Sequence, residues 1–351
     1  MSKNLLDLED SGVQYGLEGV KILFYGKNTL GKTPNAMKFP KPLLMMGETG
    51  GSAIKGKKIK IKDRKDFIYR VAELTNEKTL EAMKEKFQTI VIDTVEDIAE
   101  MFDTAVARDY GARDVGEIQN LQKGNPNGYT LSRKQFKQQI NILTGVGYTV
   151  IFIAHVNTEE REKVVDGKIV KYNFYIPKGA KTDSNASSSF IRDLCDYRFY
   201  IRGNGVDEQT GKKILSTACC YETEEYYAGS RFEGMPQFIS PFSAELITEA
   251  IQKSQEYTAD AQGSELETFK IETSGFTKEE YLEAIKPYYS SLTKTFPNEI
   301  SRIIKNSLGV DEQGKMRSPT SISENELSLL DRLYCDLCIF AQERNIEIEL
   351  D

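Results

Sequence analysis

Eight residues, GKNTLGKT at Gly26–Thr33, constrain this chain more than any other stretch. They satisfy G-x-x-x-x-G-K-[ST] at every required position and follow the apolar run VKILFY. A strand that turns through two glycines into a helix aims its backbone N–H groups at one point, which makes a cradle for phosphate. Gly26, Lys27, Asn28, Thr29, Leu30 and Gly31 would form the loop of that cradle. Lys32 would reach the outer phosphates of ATP, and the Thr33 hydroxyl would ligate Mg2+. Pro34 fits directly after, because the first helical turn has no internal acceptor for the N–H that proline lacks.

The surrounding pattern supplies the sheet that such a loop needs. Apolar runs at 20–26, 42–48, 89–94 and 148–155 read as strands, with helices expected at 66–75, 77–87, about 95–110 and about 131–143. TIVID and YTVIFIA are continuous rather than alternating, as in strands covered on both faces. Strand, helix, strand at these lengths means a parallel sheet with crossover helices. KKIKIKD (57–63) alternates with period two, like an edge or half-buried strand. After His155 the character changes. Asp166-Gly167 between two extended runs signals a hairpin, and 196–203 with 212–222 read as an antiparallel pair.

Three polar residues at strand ends fall on the edge that holds the loop. Asp93 closes TIVID and would hold Mg2+ there, or else cap the helix that follows. Glu48 ends the strand after the loop helix, where a carboxylate would polarise an attacking water; Glu96, three residues past Asp93, competes for that role. His155 ends VIFIAH and is placed to sense the γ-phosphate. With one histidine in the chain, a Cys/His metal site is not expected, and Cys335 and Cys338 read as core residues of a helix.

A formal charge of −7 argues against nucleic acid held by bulk charge, while leaving room for a local basic surface. No stretch approaches the roughly 18 apolar residues of a membrane span. With no paired cysteine framework and no apolar leader, a reduced, cytoplasmic protein is expected. The polar stretch 252–275 reads as a linker between an ATPase core at 18–251, preceded by a tail at 1–17, and a helical C-terminal region at 276–351. Thr277–Glu280 and Ser323–Glu326 fit capping boxes in that last region, with Leu327, Leu330, Tyr334, Leu337 and Phe340 as a packing face.

ILFYGKNTLGKTPNAMKFPKPLLMMGETGG, TIVIDTVEDI and YTVIFIAHVN together resemble the phage-encoded RecA-like P-loop ATPases of the AAA-domain group, some of which are Sak-type single-strand annealing recombinases. The likeness covers about residues 18–250, including AGSRF at 228–232. It implies a RecA-like α/β core with a mostly parallel sheet plus antiparallel strands, a catalytic glutamate at Glu48 and a polar sensor at His155. It also implies a homo-oligomer with ATP at subunit interfaces and single-stranded DNA as partner, in recombination, annealing or replication. By the same likeness residues 156–190 would face DNA. Lys171, Lys178, Lys181, Arg192 and Arg231 are the basic candidates for DNA or for a neighbouring subunit's site, with Tyr172 or Phe174 as stacking partners. The alternative is an ATPase switch or loader whose C-terminal helices dock a replication partner.

Overall fold

Along the strand before the loop, Ile22 and Phe24 face one hydrophobic cluster while Leu23 and Tyr25 face another. All four are buried, so the sheet is covered on both sides, as the unbroken apolar runs require. A computed structural model describes residues 10–47, 54–76, 78–121, 127–178, 190–270, 278–311, 313–323, 326–344, 346 and 348. It divides into two compact units, one spanning 11–271 and one that includes 272–351.

The larger unit opens with β1 (Val13–Tyr15), β2 (Lys21–Gly26), α1 (Lys32–Ala36), β3 (Pro42–Met46) and β4 (Lys57–Lys60). Next come α2 (Arg64–Leu74), α3 (Leu80–Lys86), β5 (Thr89–Asp93), α4 (Val95–Asp109), α5 (Ile118–Leu121) and α6 (Gly128–Gly145). Then follow β6 (Thr149–Val165), β7 (Lys168–Pro177), α7 (Phe190–Leu194), β8 (Tyr197–Arg202) and β9 (Thr217–Cys219). The short β10 (Gly229–Ser230) and β11 (Phe238–Ile239), α8 (Ala244–Gln262) and β12 (Leu266–Thr268) complete it.

The main sheet runs β11-β9-β8-β2-β6-β5-β3-β4, and its six strands from β8 to β4 are mutually parallel. One face is packed by the ring cluster of Phe67, Phe102 and Phe136 from α2, α4 and α6. The other is packed by α1 and α8, through Ala36, Ile247 and Ile251, with Phe39 against Phe24 at 6.2 Å between ring centroids. Phe39 belongs to the FPKP run, so that run fills the sheet face just behind the loop. Cys219 and Cys220 lie in opposite clusters, as neighbours on a strand should.

Three expectations are corrected. The segment 252–275 does not begin as a linker: α8 runs to Gln262, burying Ser254, Gln255, Thr258 and Ala259, and β12 pairs in parallel with β1. The 1–17 stretch is likewise not all tail, because the Gln255 amide both donates to the Gly16 carbonyl and accepts its N–H, each at 2.9 Å. Nor does a strand end at His155. β6 continues for ten more residues and pairs with β7 from Val156↔Pro177 to Val165↔Lys168, a ribbon closed by the Asp166-Gly167 turn. Its alternating burial there means that one face of the ribbon is partly covered and the other exposed.

The second unit holds α9 (Lys278–Thr295), α10 (Pro297–Leu308) and α11 (Leu327–Glu343) around their own core of Tyr281, Ile285, Ile300, Ile304, Leu330 and Leu337. Thr277 lies outside the described residues. At the other expected cap, the Glu326 carboxylate accepts the Ser323 hydroxyl at 2.7 Å and is gripped by Arg317, which holds it down to about pKa 2. Cys335 is exposed and Cys338 half-buried; the buried face of α11 passes through Leu333 and Leu337 instead, correcting the core reading of those thiols. No helix among the described residues is long and apolar enough to cross a membrane.

Candidate nucleotide-binding site

Sheet register brings the site together. Gly26 stands opposite His155 on β6, and Asp93 stands opposite Ile153 on β6 and Met46 on β3. Asp93 and His155 thus share one edge with the loop, with β6 inserted between the loop strand and the Asp93 strand. Gly26 is required by space: a Cβ there would meet the Ile201 carbonyl oxygen of β8 at 2.5 Å. Gly31 sits at φ 85°, the left-handed conformation in which the loop turns into α1.

Asn28 to Pro34 line a cleft of about 330 Å3 together with Met46, Asp93, Thr94 and His155. Lys32 is 7% exposed, and its ammonium donates to the carbonyls of Gly26 and Lys27, each at 2.8 Å. The Thr33 hydroxyl donates to Asp93 Oδ2 at 2.8 Å. That bond turns the Asp93 carboxylate to the loop, while Thr94 is the residue at the N-cap of α4. A hydroxyl and a carboxylate oxygen in contact are the hard donor pair that suits Mg2+, which usually binds through one or two such groups plus phosphate and water. The described residues contain no cluster of three or more acidic, Cys or His ligands, so a fully protein-built cage is not available among them.

Burial lowers the Lys32 pKa to about 8, against the opposing pull of Asp93 and then Glu96. Phosphate favours the charged form. Below about pH 8 the ammonium is already protonated and ATP binding is at full strength. Above it, binding must take up a proton, so affinity is expected to fall by up to about tenfold per pH unit. Calorimetric titration with ATP from pH 7 to pH 10 checks this; a flat profile would remove Lys32 from the phosphate contact.

His155 is held by Glu96. Glu96 Oε1 accepts the His155 backbone N–H at 3.0 Å and lies 2.6 Å from Nδ1. Nδ1–H therefore serves the carboxylate, and Nε2 is the ring nitrogen left for a ligand in the cleft. Glu96 lies in the first turn of α4 and its second oxygen is buried without a hydrogen bond among the described atoms. This arrangement gives Glu96 a positioning role. Glu96→Gln is expected to lower kcat about tenfold with KM little changed, the worth of one hydrogen bond to a charged group. Steady-state ATP turnover measures it, and an unchanged kcat would show that the clamp is idle.

Glu48 and Lys181 lie outside the described residues. Gly47, the last described residue before Glu48, donates its N–H to the Asp93 carbonyl at 2.9 Å. The remaining basic candidates are not brought to the cleft. Lys171 pairs with Glu160 on the ribbon at 2.6 Å. Arg192 reaches Asp193 at 3.4 Å, and Arg231 pairs with Asp196 at 3.3 Å while donating to the Asp193 carbonyl. Lys178 donates its backbone N–H to the His155 carbonyl at 2.8 Å, and the Tyr25 hydroxyl donates to the Tyr175 carbonyl, so the ribbon's base is tied to the loop strand. Tyr172 lies on the ribbon beside Lys163, and Phe174 is buried under Arg161. Two residues escaped the sequence reading: Glu96 as the partner of His155, and Lys213, which donates to the Thr29 carbonyl of the loop. Neither spacing carried a signal, since their partners lie far away in sequence.

A family model described as an AAA domain matches residues 18–232, the span from the loop strand to AGSRF. YorG, an SPbeta prophage-derived protein of Bacillus subtilis (strain 168), is 31% identical over 331 residues, which cover 93% of this chain and 91% of that protein.

Proposed function

This chain belongs to the AAA-domain family of P-loop ATPases, and on that footing we propose that it hydrolyses ATP with Mg2+ to drive work on single-stranded DNA. The observation that carries the ATPase half is the 2.8 Å bond from the Thr33 hydroxyl to Asp93, beside a lysine held ready by the loop's own carbonyls. When nucleotide enters, Lys32 would exchange those carbonyls for phosphate oxygens, and Thr33 and Asp93 are the residues that would hold Mg2+. Mg2+ supplies charge neutralisation of the phosphoryl oxygens when bound. Glu48 orients the attacking water, and His155, fixed through Nδ1, reads the γ-phosphate with Nε2.

The DNA half is supported by the resemblance to RecA-like annealing proteins and by a prophage-derived relative, which suit a phage-encoded protein acting in a bacterial host cytoplasm. In this reading subunits assemble as a ring or filament with ATP between them. ATP hydrolysis measured with and without single-stranded oligonucleotide, beside the mass in solution, tests it. Stimulation by the oligonucleotide in an assembled species is expected. Turnover indifferent to DNA, with no salt-dependent binding, would reject the DNA half. It would favour the second reading, a switch or loader, which one feature supports: the three C-terminal helices form a core of their own.

A further inference from the structure

Within a chain of net charge −7, residues 55–65 gather seven cations against one acid: Lys55, Lys57, Lys58, Lys60, Lys62, Arg64 and Lys65 against Asp63. The structure places them on β4, the edge strand, and on the turn into α2. All but the half-buried Arg64 are exposed. Among the described residues Lys55, Lys57, Lys60, Lys62 and Lys65 form no ion pair.

Edge protection accounts for part of this pattern, since lysines on an edge strand discourage pairing with another chain. It does not account for the charges beyond β4. Lys62 lies past the strand, and Lys65 stands in the first turn of α2, where the helix dipole disfavours a cation. Arg64 beside it is engaged within the fold, by Asp109 at 2.7 Å and Gln135 at 2.9 Å, so the unexplained charges are those of Lys62 and Lys65. The ribbon of β6 and β7, by contrast, balances four cations with four acids, and Arg161, Lys163 and Lys171 are each paired within the molecule.

We infer that the β4–α2 edge, rather than the ribbon, is the surface that binds the phosphate backbone of a single-stranded nucleic acid. Same-face lysines on β4, such as Lys58 and Lys60, stand about 6.6 Å apart, giving a linear row of charge. One turn beyond Lys65 lies Tyr69, 62% exposed, an aromatic face on which a base can stack. Stacking beside a row of cations distinguishes a single strand from a merely acidic partner. The row also abuts the nucleotide site. The Ile61 N–H bonds the Met46 carbonyl at 2.9 Å, Met46 lines the nucleotide cleft, and Gly47 bonds Asp93. Gly47 also lines a neighbouring cleft of about 500 Å3 with Lys62 and Lys65, a cleft whose far wall carries Asp97, Glu100 and Asp109, so the cationic row follows its rim on the β4 side. Strand binding at the edge and Mg2+ binding at Asp93 therefore share the end of β3.

The inference rests on the DNA-directed reading above, and the test separates the two. Anisotropy of a labelled oligothymidylate is titrated with the full chain in Mg2+ and ATP across a salt series. The variant Lys60→Ala/Lys62→Ala/Lys65→Ala should bind at least tenfold more weakly, with a salt slope shallower by about 2, the share of three phosphates on a single strand. Tyr69→Ala should weaken binding about tenfold without changing the slope. Lys171→Ala/Lys178→Ala should stay within twofold of the parent. Thermal unfolding of each variant confirms that it is folded. If the triple variant is folded and binds as the parent does, the edge is not the site and the DNA reading stands without it. If the parent itself does not bind, both fall. If dextran sulfate competes equally and Tyr69→Ala changes nothing, the surface serves an acidic partner and the single-strand assignment is overturned.

Discussion

Lys32→Ala is expected to lower kcat/KM for ATP by about 100- to 1000-fold, the cost of removing one preorganised charge from a phosphoryl-transfer site. The side chain is nearly buried and its ammonium is held by the loop's own carbonyls, so it is preorganised at the phosphate position. Its loss leaves the carbonyls of the buried Gly26 and the exposed Lys27 without that donor, a cost of about 1–3 kcal/mol. The nucleotide-free variant should therefore unfold roughly 2–10 °C below the parent and still cooperatively, which separates a lost contact from a lost fold. Turnover and ATP affinity near the parent's values would mean that GKNTLGKT is a structural turn.

The second large effect is expected at Glu48. Glu48→Gln should bind ATP about as tightly as the parent but turn it over about 1000-fold more slowly, within the range that a positioned general base contributes. Glu96→Gln, in contrast, should cost only about tenfold, because Oε1 of Glu96 is already engaged by His155. The ranking of the two glutamines is the informative quantity. If Glu96→Gln stops turnover and Glu48→Gln does not, Glu96 is the residue that activates water through its second oxygen.

The parts of this molecule that were legible in the sequence are those whose signal is local. Two glycines, a lysine and a threonine at fixed spacing announced the loop, and Asp93 at the end of an unbroken β-branched run announced its partner; the 2.8 Å contact joins them. Asp166-Gly167 announced its hairpin turn in the same way. What escaped was burial by residues that do not look buried. The C-terminal half of α8 packs through Ser254, Gln255 and Thr258, whose hydroxyls and amide are satisfied internally, so apolar periodicity fades and the stretch reads as linker. The continuation of β6 past His155 was hidden for a related reason: in a two-stranded ribbon neither face need be apolar, so the charged alternation of 157–163 read as the start of a loop. The Glu96–His155 clamp joins residues 59 apart, which no spacing rule reaches. The cationic row at 55–65 was visible as an alternating strand, but its meaning depends on β4 being an edge, which only the sheet order supplies.

The most direct test of the ATPase at the centre of this account is phosphate release by the purified full chain, measured with Mg2+, with Mg2+ removed by chelation, and with Lys32→Ala as background. The account predicts turnover that requires Mg2+, exceeds the Lys32→Ala rate by about 100-fold or more and rises when single-stranded oligonucleotide is added. Phosphate release that persists equally after chelation, or that Lys32→Ala supports as well as the parent, would contradict it.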